Sequence, residues 1–302
     1  MGPHGVVLID KHRGITSREA VDYVKRVLKV KKAGHFGTLD SFATGLLCVG
    51  VGQGTKLLPF IEDNPKEYIA VIGFDMSIDT DDITGKPLKH YTNVNIDVDM
   101  IRQWLKEHRG WFTQHPPAYC AQKHQGIPIY KLKRANVDVT PRAKKVLIED
   151  MQIGSFGKDW LTLRVVCSRG TYIRAIARDI GASLGIGGYL KELRRLRSEG
   201  FSVDDAHTLD RLDGKWAHKE KEKVVIPLTD ALSLPKARVV HAGETGIREG
   251  RPIQISWLID DVFAEEGERV AVLNEGFNLL CVARVQRKDG IFGYIERGFS
   301  CL

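Results

Sequence analysis

The chain has 302 residues, 43% of them hydrophobic, which is enough apolar material for one large domain or for a large and a small one. Lysine and arginine outnumber aspartate and glutamate by 45 to 38, and this excess favours a polyanionic partner. The five cysteines include no CxxC pair, which argues against a disulfide framework or a zinc site. Only four consecutive strongly apolar residues precede Asp10, too few for a signal peptide or a membrane span, so we expect a cytoplasmic protein.

In chain order, the first predicted elements alternate between strands and helices. Residues 6–9 (VVLI) predict a short buried strand. A helix follows, because Thr16 and Glu19 have capping-box spacing and apolar residues then recur at helical spacing as far as Leu28. Two further strands and a helix that stops at Gly110 are predicted at 46–51, 68–74 and 100–110.

The middle of the chain predicts a loop, a strand and a helix. The stretch from Pro116 to about Arg134 is rich in Pro, Lys and Gln and predicts a loop. A strand at 160–168 leads into a helix through SRGTYIRAIARDIGASLG, which Gly185 closes. On this helix Tyr172 and Arg174 fall on the two flanks of an apolar face, from which both side chains can reach toward a cleft.

The C-terminal part predicts a separate small module. The charged run at 213–223 predicts an exposed connection. Segments 239–253, 269–285 and 291–299 then read as short strands separated by Gly-containing turns. We therefore predict an α+β protein with a large domain over 1–228 and a mostly β module over 229–302.

Two motifs that suggest ligand binding fail in their details. GVGQGTK (50–56) is similar to a phosphate-binding loop, but Thr55 precedes Lys56, the reverse of the order that such loops require. DMSIDTDDITG (75–85) is similar to a calcium loop, but Ile83 stands where an oxygen ligand belongs, so a solvated turn is favoured. The histidines show no HxxxH or HExxH spacing, and no metal site is expected.

The segment GHFGTLDSFATG (34–45) places a single carboxylate, Asp40, among glycines and threonines. With its flanks it closely resembles the signature of the TruB family of tRNA pseudouridine synthases, which typically reads AGHxGTLDPLATGxL. Further matches follow with family-like spacing over about 220 residues: LIDKxxGITS, TK at 55–56, KEYIAVIGF, IDTDDITG, PPAYCAQKHQGIPIYKLKR, CSRGTYIRAIARDIG and YLKELRRLRSEGF. The C-terminal residues resemble the small RNA-binding PUA-type module that many members carry.

The resemblance implies the pseudouridine synthase fold, with a mixed, mainly antiparallel sheet, and isomerisation of uridine 55 in the T loop of tRNA. This reaction breaks the bond between C1′ and N1 of uridine, turns the base and joins C1′ to C5, with no cofactor. Asp40 matches the family nucleophile, and Arg174 matches the arginine that pairs with it and favours its charged form. From the residues alone, a surface arginine is the simpler interpretation of Arg174.

Four further residues match family positions around the target base. Tyr68 matches the tyrosine that stacks on the uracil and is also a candidate base, although a core aromatic on a strand would show the same alternation. His35 matches the residue that fills the space left by the flipped base. Tyr172 and Leu193 match pocket-lining positions, and Leu193, at helical spacing, would otherwise be a core residue.

The resemblance also implies an RNA partner, bound through the T stem-loop of tRNA. Phosphate contacts are predicted at Lys32, Lys56, Lys123 and Arg134, although each alone is more simply a solvated surface charge. A monomer without an obligatory protein partner and without a membrane is expected. Two alternatives stay open: a guide-RNA-dependent synthase of the same family, and a non-catalytic factor that binds or folds tRNA.

The sequence departs from the family signature beside the proposed nucleophile. Ser41 and Phe42 stand where the family usually has Pro and Leu, and His12 stands where it usually has Pro. A proline after Asp40 would restrict its backbone to extended angles. The loop is therefore predicted to be less constrained than in typical members.

Overall fold

The computed structural model describes residues 2–61, 65–217 and 224–299. Up to residue 135 the described strands are β1 (Gly5–Lys11), β2 (Ala33–His35), β3 (Thr44–Val51), β4 (Lys66–Gly73), β5 (Met76–Ile78), β6 (Pro87–His90), β7 (Gly110–Gln114), β8 (Lys123–His124) and β9 (Ile127–Pro128). The helices of this part are α1 (Ser17–Val27), α2 (Val98–Glu107) and α3 (Ile129–Arg134).

The remaining described chain continues in the same mixed pattern. It forms the strands β10 (Lys144–Phe156), β11 (Trp160–Cys167), β12 (Tyr189–Ser198), β13 (Phe201–Ser202), β14 (Lys236–Arg238), β15 (Ile253–Gln254), β16 (Arg269–Leu273), β17 (Leu279–Lys288) and β18 (Ile291–Gly298). The helices are α4 (Ile173–Ser183), α5 (Leu209–Ala217) and α6 (His241–Arg248).

One large sheet of nine strands organises the first 202 residues. Its main order is β1-β3-β12-β4-β11-β10-β7, with β2 beside β3 and β13 beside β12. Neighbouring strands are antiparallel except for β12 and β3, which run parallel. The predicted α+β class and the mixed, mainly antiparallel sheet are therefore confirmed.

Four helices bury apolar residues in the core of this sheet. Helix α1 begins with the predicted capping box, in which the Thr16 hydroxyl accepts from the Glu19 N–H and the Glu19 carboxylate accepts from the Thr16 N–H. Helices α1, α2, α4 and α5 contribute buried residues to one core with the strands. No helix in the described ranges is long and apolar enough to cross a bilayer.

The C-terminal residues form a second sheet of five strands, ordered β14-β16-β17-β18-β15, with α6 packed on it. This sheet does not stand apart from the first. Leu273 and Phe299 share a buried apolar cluster with Val6 and Leu46 of the large sheet. The Arg269 guanidinium also donates to the Pro59 carbonyl, at 3.3 Å.

Three segments differ from the predicted elements. The predicted loop at 116–134 contains the β8–β9 hairpin and α3. The predicted connection at 213–223 begins inside α5, because Leu212 is fully buried and anchors that helix; residues 218–223 lie outside the described ranges. The predicted strand at 239–253 is largely α6, whose glycines serve close packing, since a side chain at Gly243 or Gly246 would collide with Trp257.

Candidate active site

Asp40 lies in the loop that joins β2 to β3, and the residue before it is pinned to α1. The hydroxyl of Ser17 donates to the Leu39 carbonyl and accepts from the Leu39 N–H, both at 2.8 Å. Ser17 and Leu39 are each 3% exposed, so this pair of hydrogen bonds is shielded from water. The start of α1 therefore fixes the backbone that carries Asp40.

The residue after Asp40 is held through its carbonyl group. The Ser41 carbonyl accepts from the Gly14 N–H at 2.8 Å and from the buried Lys11 ammonium at 3.4 Å. The Phe42 side chain is buried in the main core. Tertiary contacts therefore restrain this backbone although no proline follows Asp40, and the comparison with typical members stays a prediction.

Arg174 reaches Asp40 across 134 residues of sequence. Its Nε lies 3.0 Å from Asp40 Oδ2, and its Nη2 lies 3.5 Å from Asp40 Oδ1. The Arg174 side chain is 9% exposed, whereas that of Asp40 is 39% exposed. The surface-arginine interpretation is therefore wrong, and the carboxylate is accessible while its cationic partner is buried.

The acidic turn between β5 and β6 holds the arginines of α4. Arg174 Nη1 lies 3.2 Å from Asp82 Oδ2, and Arg178 Nη1 lies 3.1 Å from Asp81 Oδ2. Asp81 and Asp82 are buried, so the prediction of a solvated turn is wrong. Burial raises the pKa of Asp81 to about 6, against the opposing effect of Arg178.

The sequence analysis did not single out Asp81 and Asp82 as site residues. The pattern that could have indicated them lies on α4. Arg174 and Arg178 stand four residues apart on one helix, so they share a face. Two arginines so placed can each pair with one of two adjacent carboxylates. Within the described part of the chain, no group of three or more His, Cys, Asp or Glu side chains is placed to hold a metal ion.

Five predicted site residues come together around one cleft of about 250 Å³. They are Asp40, Tyr68, Tyr172, Arg174 and Leu193. The two residues predicted on the flanks of α4, Tyr172 and Arg174, therefore both face a cleft as expected.

Tyr68 and Leu193 lie on adjacent antiparallel strands. In the register of β4 and β12, Tyr68 pairs with Arg195 and Ala70 pairs with Leu193. Leu193 thus belongs to a strand, which corrects the helical spacing assumed for it. Tyr68 is 7% exposed, and burial raises its pKa to about 12, so its hydroxyl is protonated at neutral pH.

Tyr172 is placed by the entrance to α4. It occupies the N-cap position, where its N–H donates to the Gln114 side chain at 2.8 Å and its carbonyl accepts from the same side chain at 3.1 Å. Gln114 is 1% exposed and ends β7. The edge strand β7 of the large sheet therefore fixes Tyr172, the residue directly before α4.

His35 is the one predicted base-contacting residue that does not line the cleft. It ends β2, opposite Val49, and is partly exposed. Burial, helped by the nearby charge of Arg195, lowers its pKa. Its Nδ1 is buried and has no hydrogen-bond partner among the described residues.

Three further cations line the cleft and were not singled out from the sequence: the exposed Arg169, and the buried Lys66 and Arg195. Lys66 Nζ lies 3.0 Å from Glu199 Oε1, with side chains 8% and 2% exposed. Arg195 is 1% exposed and donates to the carbonyls of Leu46, Gly37 and Thr38 at 2.7, 3.2 and 3.4 Å. The spacing along the strands could have indicated Lys66 and Arg195. Lys66 stands two residues from Tyr68 and Arg195 two residues from Leu193, so each shares a strand face with a predicted site residue.

Comparison with known proteins agrees with this geometry. The model of the TruB family pseudouridylate synthase N-terminal domain matches residues 25–173, and that of the tRNA pseudouridylate synthase B C-terminal domain matches 174–233. A protein of Syntrophotalea carbinolica named tRNA pseudouridine synthase B is 34% identical, over 90% of this chain and 89% of its own length. The chain belongs to the TruB family of pseudouridylate synthases.

Other members of the TruB family match to a similar extent. A tRNA pseudouridine synthase B of Paracoccus denitrificans is 36% identical, over 93% of this chain and 92% of its own length. As a TruB-family protein, the chain is an isomerase that forms pseudouridine.

Solved structures share the fold of this TruB-family chain. A chain of an H/ACA ribonucleoprotein bound to a substrate RNA containing 2′-deoxyuridine has a TM-score of 0.74 and 23% identity, covering 99% of this chain and 86% of that one. A chain of a Cbf5–Nop10–Gar1 complex has a TM-score of 0.73 and 25% identity, covering 98% and 85%. The predicted pseudouridine synthase fold with a β-rich PUA-like module is confirmed.

The predicted phosphate-contacting residues of the TruB-family enzyme fall into two places. Lys32 and Lys56 line one groove, and Lys56 also donates to the Gly298 carbonyl of the C-terminal sheet at 3.1 Å. Lys123 and Arg134 lie elsewhere, on β8 and α3, where both are exposed. The structure therefore brings the first two together and leaves the other two on a different surface.

Proposed function

We propose that this TruB-family isomerase acts on tRNA and converts uridine 55 of the T loop to pseudouridine. The observation that carries the proposal is the contact between Asp40 and the buried Arg174 at the edge of a cleft that Tyr68 also lines. Relatives named tRNA pseudouridine synthase B, aligned over most of the chain, support tRNA as the RNA.

In the proposed reaction the target uridine leaves its stack and enters the cleft, at an unstacking cost of a few kcal/mol. The Asp40 carboxylate then acts as the nucleophile. Arg174 keeps this carboxylate in place, because Asp82 and the Thr80 carbonyl hold the guanidinium from behind, at 3.2 and 2.8 Å. The order in which bonds form and break does not affect these roles.

The remaining proposed site residues bind and orient the base. A phenol with a pKa of about 12 is a poor base at neutral pH, so stacking on the uracil is the favoured role of Tyr68. Tyr172 and Leu193 line the pocket around the ring. His35, partly exposed at the end of β2, is proposed to fill the space that the flipped base leaves.

We further propose that a PUA-like domain begins near residue 229 and contributes to tRNA binding. Lys56 supports this proposal, because it lies in the same groove as Lys32 and also contacts the C-terminal sheet. Lys123 and Arg134 are proposed as phosphate contacts on the second surface. We propose that the enzyme acts as a monomer without a protein partner.

Release of tritium from C5-labelled uridine in unmodified tRNA tests the activity. The native chain is expected to release tritium, whereas Asp40→Asn is expected to release none while binding tRNA equally. A tRNA with cytidine at position 55 is expected to release none with either protein. Release by Asp40→Asn at the native rate would remove the nucleophile assignment, and unchanged release from the cytidine-55 tRNA would remove the position.

The same assay separates the two alternative functions. A guide-RNA-dependent synthase is worth considering because one structural neighbour belongs to an H/ACA ribonucleoprotein. That alternative requires the purified chain to be inactive on bare tRNA and active only with guide RNA and partners. A non-catalytic tRNA-folding factor would bind tRNA and release no tritium under any of these conditions.

A further inference from the structure

One wall of the cleft carries three functional side chains in adjacent positions. Lys66 and Tyr68 lie two residues apart on β4, so they project from the same face of the strand. Arg195 pairs directly with Tyr68 across the antiparallel ladder, so its side chain shares that face. A base stacked on Tyr68 would therefore lie beside both cations.

The buried charges of this wall do not cancel. Glu199 is the carboxylate that pairs with Lys66, at 3.0 Å. Arg195 instead donates to three backbone carbonyls, which are dipoles and carry no net charge. Lys66, Arg195 and Glu199 together therefore leave one buried positive charge.

The opposite side of the cleft has a different balance. There Arg174 lies between two carboxylates, Asp40 and Asp82, and the buried Lys11 is a second cation close enough to act on Asp40. The carboxylates on the side of the nucleophile are thus matched by cations, whereas the side of Tyr68 keeps one positive charge in excess. That positive excess lies among buried groups, where water screens it weakly.

We propose that Lys66 and Arg195 form an electrostatic subsite that stabilises the negative charge which the uracil acquires during the reaction. This inference rests on the proposed function. When Asp40 bonds to C1′ and the C1′–N1 bond breaks, the electron pair of that bond stays on the uracil, and the charge spreads over N1, O2 and O4. When C1′ joins C5, the bond from C1′ to Asp40 breaks and frees the carboxylate, the charge on the uracil is consumed, and the proton lost from C5 is balanced by the proton gained at N1.

The positive excess is useful because it is preorganised. Both cations are fixed before the base arrives, Lys66 by Glu199 and Arg195 by the carbonyls of Gly37 and Thr38, so little reorganisation accompanies bond breaking. Preorganised groups of this kind commonly contribute about 100-fold or more to a catalytic rate. The subsite acts on the base, whereas Asp40 acts as nucleophile, so the two contributions are separable by mutation.

A charge-restoration experiment tests the proposal. Lys66→Met leaves Glu199 to cancel Arg195 and is expected to lower the single-turnover rate of tritium release, at saturating enzyme, about 10- to 100-fold. The double variant Lys66→Met with Glu199→Gln restores one net positive charge and is expected to regain about tenfold of that loss. Glu199→Gln alone raises the positive excess and is expected to react faster than the native chain.

The matched control uses the neighbouring ion pair of the same strand. Glu67 follows Lys66 on β4, points to the other face and lies 2.7 Å from Arg164. Arg164→Met is expected to leave the single-turnover rate unchanged. Thermal unfolding and tRNA binding, measured for every variant, separate effects on the reaction from effects on the fold.

Three results would overturn the proposal. The first is a native rate for Lys66→Met. The second is a double variant that reacts as slowly as Lys66→Met although both fold and bind tRNA. The third is a rate below the native one for Glu199→Gln, which is expected if the ion pair between Lys66 and Glu199 has only a structural role. If Lys66→Met fails to fold, the double variant and Glu199→Gln still carry the test, since neither leaves a buried carboxylate unpaired. A native chain that releases no tritium at all would instead contradict the proposed function.

Discussion

Arg174 is bound by Asp82 on the side away from Asp40, with Nη1 of the guanidinium 3.2 Å from Asp82 Oδ2. Asp82 does not line the cleft, so its influence on the reaction passes through Arg174. Asp82→Asn is expected to lower the single-turnover rate about 10- to 100-fold, because the arginine loses the charge that orients it. Binding of tRNA is expected to stay near the native affinity.

Single-turnover tritium release and a filter-binding assay measure the two quantities for Asp82→Asn. Asp99→Asn, an exposed acid on α2 with 87% of its side chain accessible, is the control and is expected to behave as the native chain does. An Asp82→Asn variant that folds and reacts at the native rate would show that Arg174 needs no second carboxylate.

Ser17→Ala is expected to reduce both stability and rate. The substitution leaves the buried N–H and carbonyl of Leu39 without their partner, at a cost of about 1–3 kcal/mol in the free energy of unfolding. It also frees the backbone directly before Asp40, so the rate of tritium release is expected to fall. Urea unfolding and the tritium assay measure the two effects.

The neighbouring cap residue provides the control for Ser17→Ala. Thr16→Ala removes the N-cap of the same helix and is expected to cost about 1 kcal/mol. In the described structure Thr16 forms its side-chain hydrogen bonds with Glu19 and not with the loop of Asp40, so the rate is expected to be retained. Equal losses of rate in both variants would mean that helix stability, rather than the bond to Leu39, controls the loop.

Lys32→Gln and Lys56→Gln are expected to weaken tRNA binding without changing the rate at saturating enzyme. Each variant removes one cation from a shared groove, and the slope of log affinity against log salt is expected to fall by about one for each phosphate that is no longer neutralised. Titrations at several salt concentrations measure this slope. Lys106→Gln, on the exposed face of α2, is the control and is expected to keep the native slope. A native slope in Lys32→Gln and Lys56→Gln as well would contradict a phosphate role for these two lysines.

Asp81 gives stability a specific dependence on pH. Its pKa is raised from an unfolded value of about 3.9 to about 6 by burial. Between these values the folded protein retains a proton that the unfolded chain has lost, so this group destabilises the fold progressively as the pH rises from about 4 to 6. Asp81→Asn removes the titration, and asparagine suits the left-handed backbone there, φ 59°.

Thermal unfolding at pH 4.5 and 7.5 checks this dependence. The Tm of Asp81→Asn, relative to the native chain, is expected to be higher at pH 7.5 than at pH 4.5. The exposed variant Asp99→Asn is expected to show no such difference between the two pH values. A constant offset for Asp81→Asn would mean that Asp81 ionises in the folded protein as it does in the unfolded chain.

The parts of the site that the sequence predicted are those with a local or family pattern. The capping box of α1 and the buried face of β4 follow from spacing alone, and both are present. The meeting of Asp40 and Arg174 required the resemblance to a family, because no local pattern links residues 134 positions apart. Tyr172 on the flank of α4 was predictable from helical geometry.

The parts that were missed depend on long-range burial. A run of acids with threonines predicts a solvated turn, and only the arginines of α4 make burial of Asp82 favourable. In the same way, the sequence around Gly243 and Gly246 predicts turns, whereas in the fold both glycines lie on a helix and allow Trp257 to pack against it. Lys66 and Arg195 look like ordinary strand cations, because Glu199 and the loop carbonyls approach them only after the sheet has formed.

The apolar cluster shared by Leu273, Phe299, Val6 and Leu46 packs the two sheets against each other. Removing the C-terminal residues would expose the underside of β1 and β3 to water, and β3 directly follows the loop of Asp40. A truncated chain would therefore lose catalytic order together with the C-terminal sheet. Loss of activity after such a deletion measures folding as much as recognition.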